Sequence, residues 1–268
     1  MAASQFDLST VGNVQDYLVF PADSGTATPR ADTAVRLQRL LTAASVWLAG
    51  LMHRNPLLVQ TYTDVRDGKN GQMMRLRQWP AKVINGIYVD GYGIPQGSYQ
   101  VGEPAQPGWF LSDPNQAYIK LVGYEFCRGV ANVQVPYVAG LAPVYGLPWA
   151  QGSYNAQQVI VDSNGNAELC ITGGATGASV PNWPTKPLTI TQDGQAQWQM
   201  FLPDTDPMLA LEQGVLELVA QKWKRAAHVD ETSQTAGQGM TTAFLKESLP
   251  LEVRNMIDEY KNVVPVGY

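Results

Sequence analysis

Residues 57–91 read LLVQTYTDVRDGKNGQMMRLRQWPAKVINGIYVDG, and this stretch decides the fold class. Four dipeptides break it: Asp67-Gly68, Asn70-Gly71, Asn85-Gly86 and Asp90-Gly91. Asn or Asp followed by Gly tolerates the positive φ that tight hairpins favour. Between the breaks, Leu57 to Arg66, Met73 to Trp79 and Val83 to Val89 are rich in β-branched, aromatic or alternating residues. That is the pattern of half-buried strands. Tyr118 to Val122 and Val130 to Val138 continue it. Together they predict an antiparallel β meander from about Leu57 to Ala142.

On both sides of this zone the period becomes helical. Upstream, Thr28-Pro29 reads as an N-cap followed by proline at the first helical position. Leu37, Leu40, Leu41, Ala44, Leu48, Leu51 and Met52 then recur at three-and-four spacing, with Arg36 and Arg39 off the stripe. His53, Arg54, Asn55 and Pro56 supply a basic last turn and a stop. Val14, Tyr17 and Leu18 mark a short earlier helix. Downstream, Asp206-Pro207 repeats the cap-plus-proline start, and Met208, Leu211, Val215, Leu218, Val219 and Trp223 form one face. A Ser/Thr/Gly/Gln stretch from Glu231 to Thr242 reads as a loop, expected to be mobile. A last helix is expected over Ser248 to Lys261, faced by Leu249, Val253, Met256, Ile257 and Tyr260.

Residues 148–202 differ in character. They carry few charges, Asp162, Glu168, Lys186 and Asp193, and many Gly, Thr, Asn and Gln. Val159 to Val161, Ala167 to Thr172, Leu188 to Thr191 and Ala196 to Phe201 are strand-like, with turns at Asn164-Gly165 and Asp193-Gly194. The fold class expected is therefore α+β: N- and C-terminal helices packed as a helical core, a central antiparallel β meander, and an inserted small all-β module. Residues 1–147 and 203–268 form the core domain in this reading, and 148–202 the insert.

The chemistry of the chain excludes more than it offers. With 45% hydrophobic and 15% charged residues, the chain has material for a core and too little charge for a disordered protein. Neither end carries an apolar run that spans a bilayer, and Met1 to Ser9 lacks the pattern of a secretory signal. A soluble protein made in a cytosol, with no membrane partner, is expected. A net charge of −5 argues against gripping nucleic acid by its phosphates. Cys127 and Cys170 are the only cysteines, and His53 and His228 the only histidines. Neither pair has metal-ligand spacing or a catalytic context, so no cofactor, metal or catalytic residue is expected. Gly173 to Gly177 lacks the Lys-Ser/Thr ending of a phosphate loop and reads as a turn in the insert. Trp183 and Trp198 admit two readings, a flat platform for sugar rings or the core of the insert.

The order of segments adds a resemblance. An amphipathic helix runs into Thr61 to Gly68, then Met74-Arg75-Leu76-Arg77-Gln78-Trp79-Pro80, then Val83 to Val89. Gly129-Val130-Ala131-Asn132-Val133-Gln134-Val135-Pro136-Tyr137-Val138-Ala139-Gly140 follows, then Leu211 to Ala220 with Lys222 to Arg225, and finally Leu249-Pro250, Val253 and Asp258-Glu259-Tyr260. This order resembles the head-tail connector (neck adaptor) family of tailed bacteriophages, over most of residues 30–142 and 203–268. The departure is the interruption after Ala142. The insert is itself similar to a small β module of phage virion proteins, through Asp162-Ser163-Asn164-Gly165-Asn166, Leu169 to Thr172, Pro181-Asn182-Trp183-Pro184 and Thr191 to Gly194.

What the resemblance implies is a non-enzymatic virion subunit, assembled in the host bacterial cytoplasm. It would form a ring with neighbouring copies of itself, commonly twelve, beneath the portal protein. A downstream neck or tail protein would follow, and DNA would pass through without sequence-specific binding. The partner-binding residues expected toward portal and neighbour are Tyr260, Val263, Val264, Pro265, Val266 and Tyr268. A frayed terminus is the other reading of that tail. Rival roles are another neck component, a stopper or tail terminator, and a carbohydrate-binding virion decoration protein working through Trp183 and Trp198.

Overall fold

The computed structural model describes residues 4, 6–18, 31–54, 57–98, 104–113, 115, 117–225, 233–236, 240–243 and 249–261. In chain order, α1 (Val11–Tyr17) and α2 (Ala31–Leu51) lead into β1 (Gln60–Gly68), β2 (Met73–Arg75), β3 (Ala81–Ile84), β4 (Ile87–Val89) and β5 (Tyr92–Ile94). Next come β6 (Gly108–Asp113), β7 (Tyr118–Val122), β8 (Gly129–Ala139), β9 (Leu147–Pro148) and β10 (Ser153–Tyr154). Then follow β11 (Val159–Val161), β12 (Ala167–Thr172), β13 (Gly174–Ala175), β14 (Ile190–Asp193) and β15 (Ala196–Phe201). The chain closes with α3 (Thr205–Arg225), β16 (Ser233–Ala236), β17 (Met240–Ala243) and α4 (Leu251–Tyr260). The fold is mixed α+β with antiparallel sheets. It divides into a unit of Met1–Asn55, Val144–Pro148 and Asp204–Asn262, and a unit of Pro56–Pro143, Trp149–Pro203 and Val263–Tyr268.

The β unit is organised around β8. β1 lies antiparallel along one of its edges, from Gln60 opposite Ala139 to Gly68 opposite Gly129. β3 and then β4 lie along the other edge. The zone is therefore not the simple meander its turn signals predict, because its central strand enters about sixty residues after its first partner. Asn85-Gly86 is not a hairpin: β3 and β4 follow one another beside β8, and the Asn85 N–H donates to the Pro136 carbonyl at 2.9 Å. Asp90-Gly91 does turn the chain between β4 and β5, with φ of 52° and 80°. A second sheet, ordered β2-β7-β6, completes this part.

Side-chain alternation along β8 sets the layers. Val133, Val135, Tyr137 and Ala139 point into a core shared with Ile119 and Leu121 of β7, Trp109 of β6, and Ile87 and Val89 of β4. Val138 points the other way, into a second core with Val59, Ala142, Val159, Ala167, Leu169 and Phe201. The last four belong to β11, β12 and β15, whose sheet runs in the order β14-β15-β12-β11. The sheet of β8 is thus covered on one face by β2-β7-β6 and on the other by the strands of residues 149–203.

Two glycines permit close approaches. A Cβ on Gly68 would lie 1.8 Å from the Cys127 carbonyl oxygen. Gly140 ends β8 at a φ of +115°, where a Cβ would stand 2.6 Å from the Leu58 carbonyl oxygen.

The helical unit is stitched by buried polar groups. Leu37, Leu41, Ala44 and Leu48 of α2 are buried, as are Met208, Leu211, Val215, Leu218 and Val219 of α3. Glu212 of α3 accepts hydrogen bonds at 2.6 Å from both Ser9 Oγ and Asn13 Nδ2. Gln38 Nε2 donates to Asp7 at 2.6 Å, and the Leu8 N–H to Ser45 Oγ at 3.2 Å. The Arg36 guanidinium lies 4.8 Å from the Trp223 ring centroid, and Lys222 Nζ 4.9 Å from that of Trp47.

Helix ends differ in detail from expectation. α2 closes with His53 at φ 53°. Its N–H donates to Gly50 and that of Arg54 to Ala49, a left-handed C-terminal cap. Arg54 is buried rather than part of a solvated basic turn. α3 starts two residues earlier than Asp206-Pro207 implies: the Met208 N–H bonds to Asp204, so Pro207 sits within the first turn, where no helical N–H is required. The stretch read as a loop after α3 contains the antiparallel hairpin β16–β17. Its sequence is mostly polar and carries no alternating apolar signal that would mark it as strand. Thr28, Pro29 and His228 lie outside the described residues.

Gly140→Ala is expected to destabilise the β unit by about 2 kcal/mol or more, from left-handed strain plus the clash with Leu58. Urea unfolding of the variant beside the wild type reads this directly, and an unchanged midpoint contradicts it.

Candidate functional site

Among the described residues, no group of three or more His, Cys, Asp or Glu is placed to hold a metal ion. No described helix is long and apolar enough to cross a membrane. What the chain presents instead is one basic groove on the β unit, one acidic groove on the helical unit, and a buried polar knot in residues 149–203.

The basic groove forms over β1 and β2. It is lined by Arg66, Lys69, Arg75 and Arg77 together with Val65 and Met73, among others. Its floor is positioned by Asp64, whose side chain turns into the sheet. Asp64 accepts the Arg77 N–H at 2.9 Å and the Tyr137 hydroxyl at 3.3 Å, and pairs with Arg66 at 3.7 Å. The Tyr137 hydroxyl in turn accepts the Gln78 N–H at 3.1 Å. Burial first, then the Asp64 carboxylate, pushes the Tyr137 phenol above its ordinary range, so it remains a donor. The result ties the turn after β2 to β1 and β8. Arg66 Nε is buried without a hydrogen-bond partner among the described residues. Lys69 and Arg77 are exposed.

The acidic groove lies between α3 and α4. Glu217, Glu252 and Glu259 line it around Val253 and Met256. The helices approach closely at Gly214, where a Cβ would stand 2.5 Å from Met256 Cε. Gln213 Nε2 donates to Glu217 at 3.2 Å. Burial, and beyond it the neighbouring Glu252 carboxylate, raises the Glu217 carboxyl above its ordinary range, against the lowering by Gln213. Tyr260, one of the expected partner-binding residues, is half-buried at the end of α4. Its phenol is pushed up by burial, then by Glu259 and Asp206. Val263, Val264, Pro265, Val266 and Tyr268 lie outside the described residues.

The polar knot centres on Asp193, at the end of β14. One carboxylate oxygen accepts Trp149 Nε1 at 2.8 Å and Trp198 Nε1 at 3.3 Å, and the other accepts the Gly177 N–H at 2.7 Å. The glycine run that fails as a phosphate loop thus ends on a carboxylate of its own chain. Trp198 is packed edge-to-face against Tyr154, at 4.9 Å between centroids, and Trp183, at 6.2 Å. A sugar platform needs an indole face open to solvent; Trp183 and Trp198 are exposed by only 6% and 0%. Their place is the interior of residues 149–203.

On the same face of β12 lies a group that sequence reasoning did not single out. Glu168 stands opposite Ile160 and Met200, fully buried, with neither carboxylate oxygen hydrogen-bonded among the described residues. Burial, and secondarily Asp162, pushes its carboxyl up to about 8. No sequence pattern distinguishes such a Glu from a solvated one; only the period-two alternation with Cys170 and its neighbours on the buried face hints at it.

Between the ordinary carboxyl range and about pH 8, the folded chain keeps a proton on Glu168 that the unfolded chain releases. Stability from this group is therefore full below about pH 4.5 and falls as pH rises toward 8. Glu168→Met is expected to raise the melting temperature at pH 8 and to flatten the pH dependence above pH 5. Parallel thermal melts at pH 5 and pH 8 check it; equal slopes in both proteins contradict it.

No family model and no curated protein matches the chain. Among solved structures, it is similar to a chain in the neck of a native GTA particle with C12 symmetry, at TM-score 0.43 and 14% identity, covering 100% of this chain and 96% of that one. It is similar at TM-score 0.42 and 15% identity to a chain in the neck of an empty GTA particle with C6 symmetry, with the same coverage. A chain from the virion of a native gene transfer agent particle gives TM-score 0.43 and 15% identity. At this level the likeness carries no functional argument.

Proposed function

We propose that this protein is a structural, non-catalytic subunit of a phage-like virion neck: a head-tail adaptor. Copies form a ring, commonly of twelve, beneath a portal protein and above the next neck or tail component. DNA passes through the ring without sequence-specific binding. The observation that carries this reading is the pairing of β1 with β8. The two motifs on which the adaptor resemblance rests, Thr61 to Gly68 and Gly129 to Gly140, are far apart in the chain and meet residue by residue, Thr61 opposite Val138 and Val65 opposite Gln134. Motifs matched by chance have no reason to become paired neighbours in one sheet. Along the chain, α2 precedes these strands and α3 and α4 follow them, in the order that the resemblance requires.

The protein as a whole, mixed with the portal protein of its own phage, is expected to add a layer of rotational symmetry at the tail-facing end in negative-stain images. Portals that stay bare beside folded protein contradict the adaptor role.

In this reading the segment after α4, residues 263–268, packs on the portal or on a neighbouring copy. Removing residues 263–268 is expected to leave the melting temperature unchanged and to reduce portal retention by about tenfold, the scale of one small apolar contact. Retention equal to that of the full chain eliminates this role for the tail.

A further inference from the structure

The hairpin of β11 and β12 gathers oxygen donors on one buried face. Ile160 stands opposite Glu168, and the Asp162 N–H donates to the Asn166 carbonyl at 2.9 Å, so the ladder runs on to the turn. Side chains alternate between faces along a strand, which puts Asp162, Asn166 and Glu168 on the same side. They are exposed by only 7%, 9% and 0%. Diagonal neighbours on such a ladder lie roughly 7 Å apart, within reach of long side chains. The Asp162 charge acts on Glu168, so the two carboxylates approach each other.

The chain itself uses only part of this oxygen set. Asp162 Oδ1 accepts the N–H groups of Asn164 and Asn166, both at 2.8 Å, which shapes the turn. Asp162 Oδ2 meets Asn166 Nδ2 at 3.5 Å, the long limit of a hydrogen bond. Both Glu168 oxygens are buried without a partner among the described residues. A proton on Glu168 would remove its charge and still leave a buried O–H and a buried carbonyl oxygen unsatisfied. A hard cation satisfies such oxygens together, since it takes about six to eight of them at ~2.4 Å. A half-turn of the Asn166 amide, an easy rotation for this torsion, brings Oδ1 to the place of Nδ2. Two oxygens 3.5 Å apart then subtend about 90° at an ion ~2.4 Å from each, an ordinary angle for a calcium shell.

We propose that Asp162, Asn166 and Glu168 hold a divalent cation of the calcium class on the buried face of this hairpin. Glu168 supplies both carboxylate oxygens, Asp162 its Oδ2 and Asn166 its amide oxygen. The two carboxylates match the double charge of the ion, and an all-oxygen set suits calcium rather than zinc. Ser163, Asn164 and Gly165 at the tip are exposed, so the ion and the waters that complete its shell arrive from that end. The site ties β11 to β12 and makes the stability of residues 149–203 depend on the ion. Without it a proton takes its place on Glu168, and the pH dependence predicted above describes that form. The site stands independently of the neck reading.

Thermal melts of the full-length protein at pH 8, in chelator or in millimolar calcium, test it. Calcium is expected to raise the melting temperature by about 5 °C or more. Terbium is a luminescent stand-in for calcium: Trp198 lies two residues from Met200, which stands opposite Glu168, so indole excitation is expected to light terbium at the site, and calcium to quench it by displacement. Glu168→Gln and Asp162→Asn, each checked for folding by circular dichroism, are expected to lose both responses. Asp162→Asn keeps the Oδ1 that shapes the turn, so it reads the site even where Glu168→Gln fails to fold. A melting temperature indifferent to calcium, with no displaceable terbium emission, overturns the proposal and leaves the neck reading untouched. Responses that survive in both variants and vanish in Glu252→Gln with Glu259→Gln also overturn it, and assign the ion to the α3–α4 groove.

Discussion

The antiparallel pairing of β1 with β8 is the constraint on which the β unit depends. It joins segments separated by about sixty residues, from Gln60 opposite Ala139 to Gly68 opposite Gly129. Everything between them is then held as excursions from a fixed pair: β3 and β4 along the free edge of β8, and β2, β6 and β7 as a facing sheet. Because successive side chains on a strand point to opposite faces, one strand can serve two cores. β8 does so, with Tyr137 and Val135 on one side and Val138 on the other. Closing so long a loop has an entropic cost, which burial on both faces of the same strand offsets.

The polar network around Asp64 follows from that pairing. Asp64 sits opposite Val135 and reaches the Tyr137 hydroxyl only because β1 and β8 are in this register. A one-residue slip would turn Asp64 to the other face and leave Tyr137 buried without its acceptor. The same carboxylate holds Arg66 and the backbone of Arg77, so the basic groove inherits its geometry from the β1–β8 pair. In residues 149–203 Asp193 plays the corresponding part for Trp149, Trp198 and Gly177.

Local signals were legible wherever the local chain dictates the conformation. The Asp90-Gly91, Asn164-Gly165 and Asp193-Gly194 turns carry positive φ where their composition places it. The strands Val159–Val161, Ala167–Thr172 and Ala196–Phe201 stand where their apolar and β-branched content places them, and the buried stripes of α2 and α3 follow the helical period. Asn85-Gly86 misleads because the same dipeptide serves an irregularity along an edge as well as a hairpin. The hairpin β16–β17 was illegible because a mostly polar sequence carries no apolar period to announce it.

The sequence by itself determined the long helices and the main strands, the change of period between zones, and the motif order on which the proposed role rests. Tertiary structure alone decided which strands are neighbours, since alternation reports that a face is buried and not what covers it. It also decided that Trp183 and Trp198 are interior, that Glu168 is fully buried, and that cations and carboxylates scattered through the chain gather into two grooves of opposite sign. Charge convergence of that kind is a property of distance in space, and residues such as Glu217 and Glu252 become neighbours only when their helices pack.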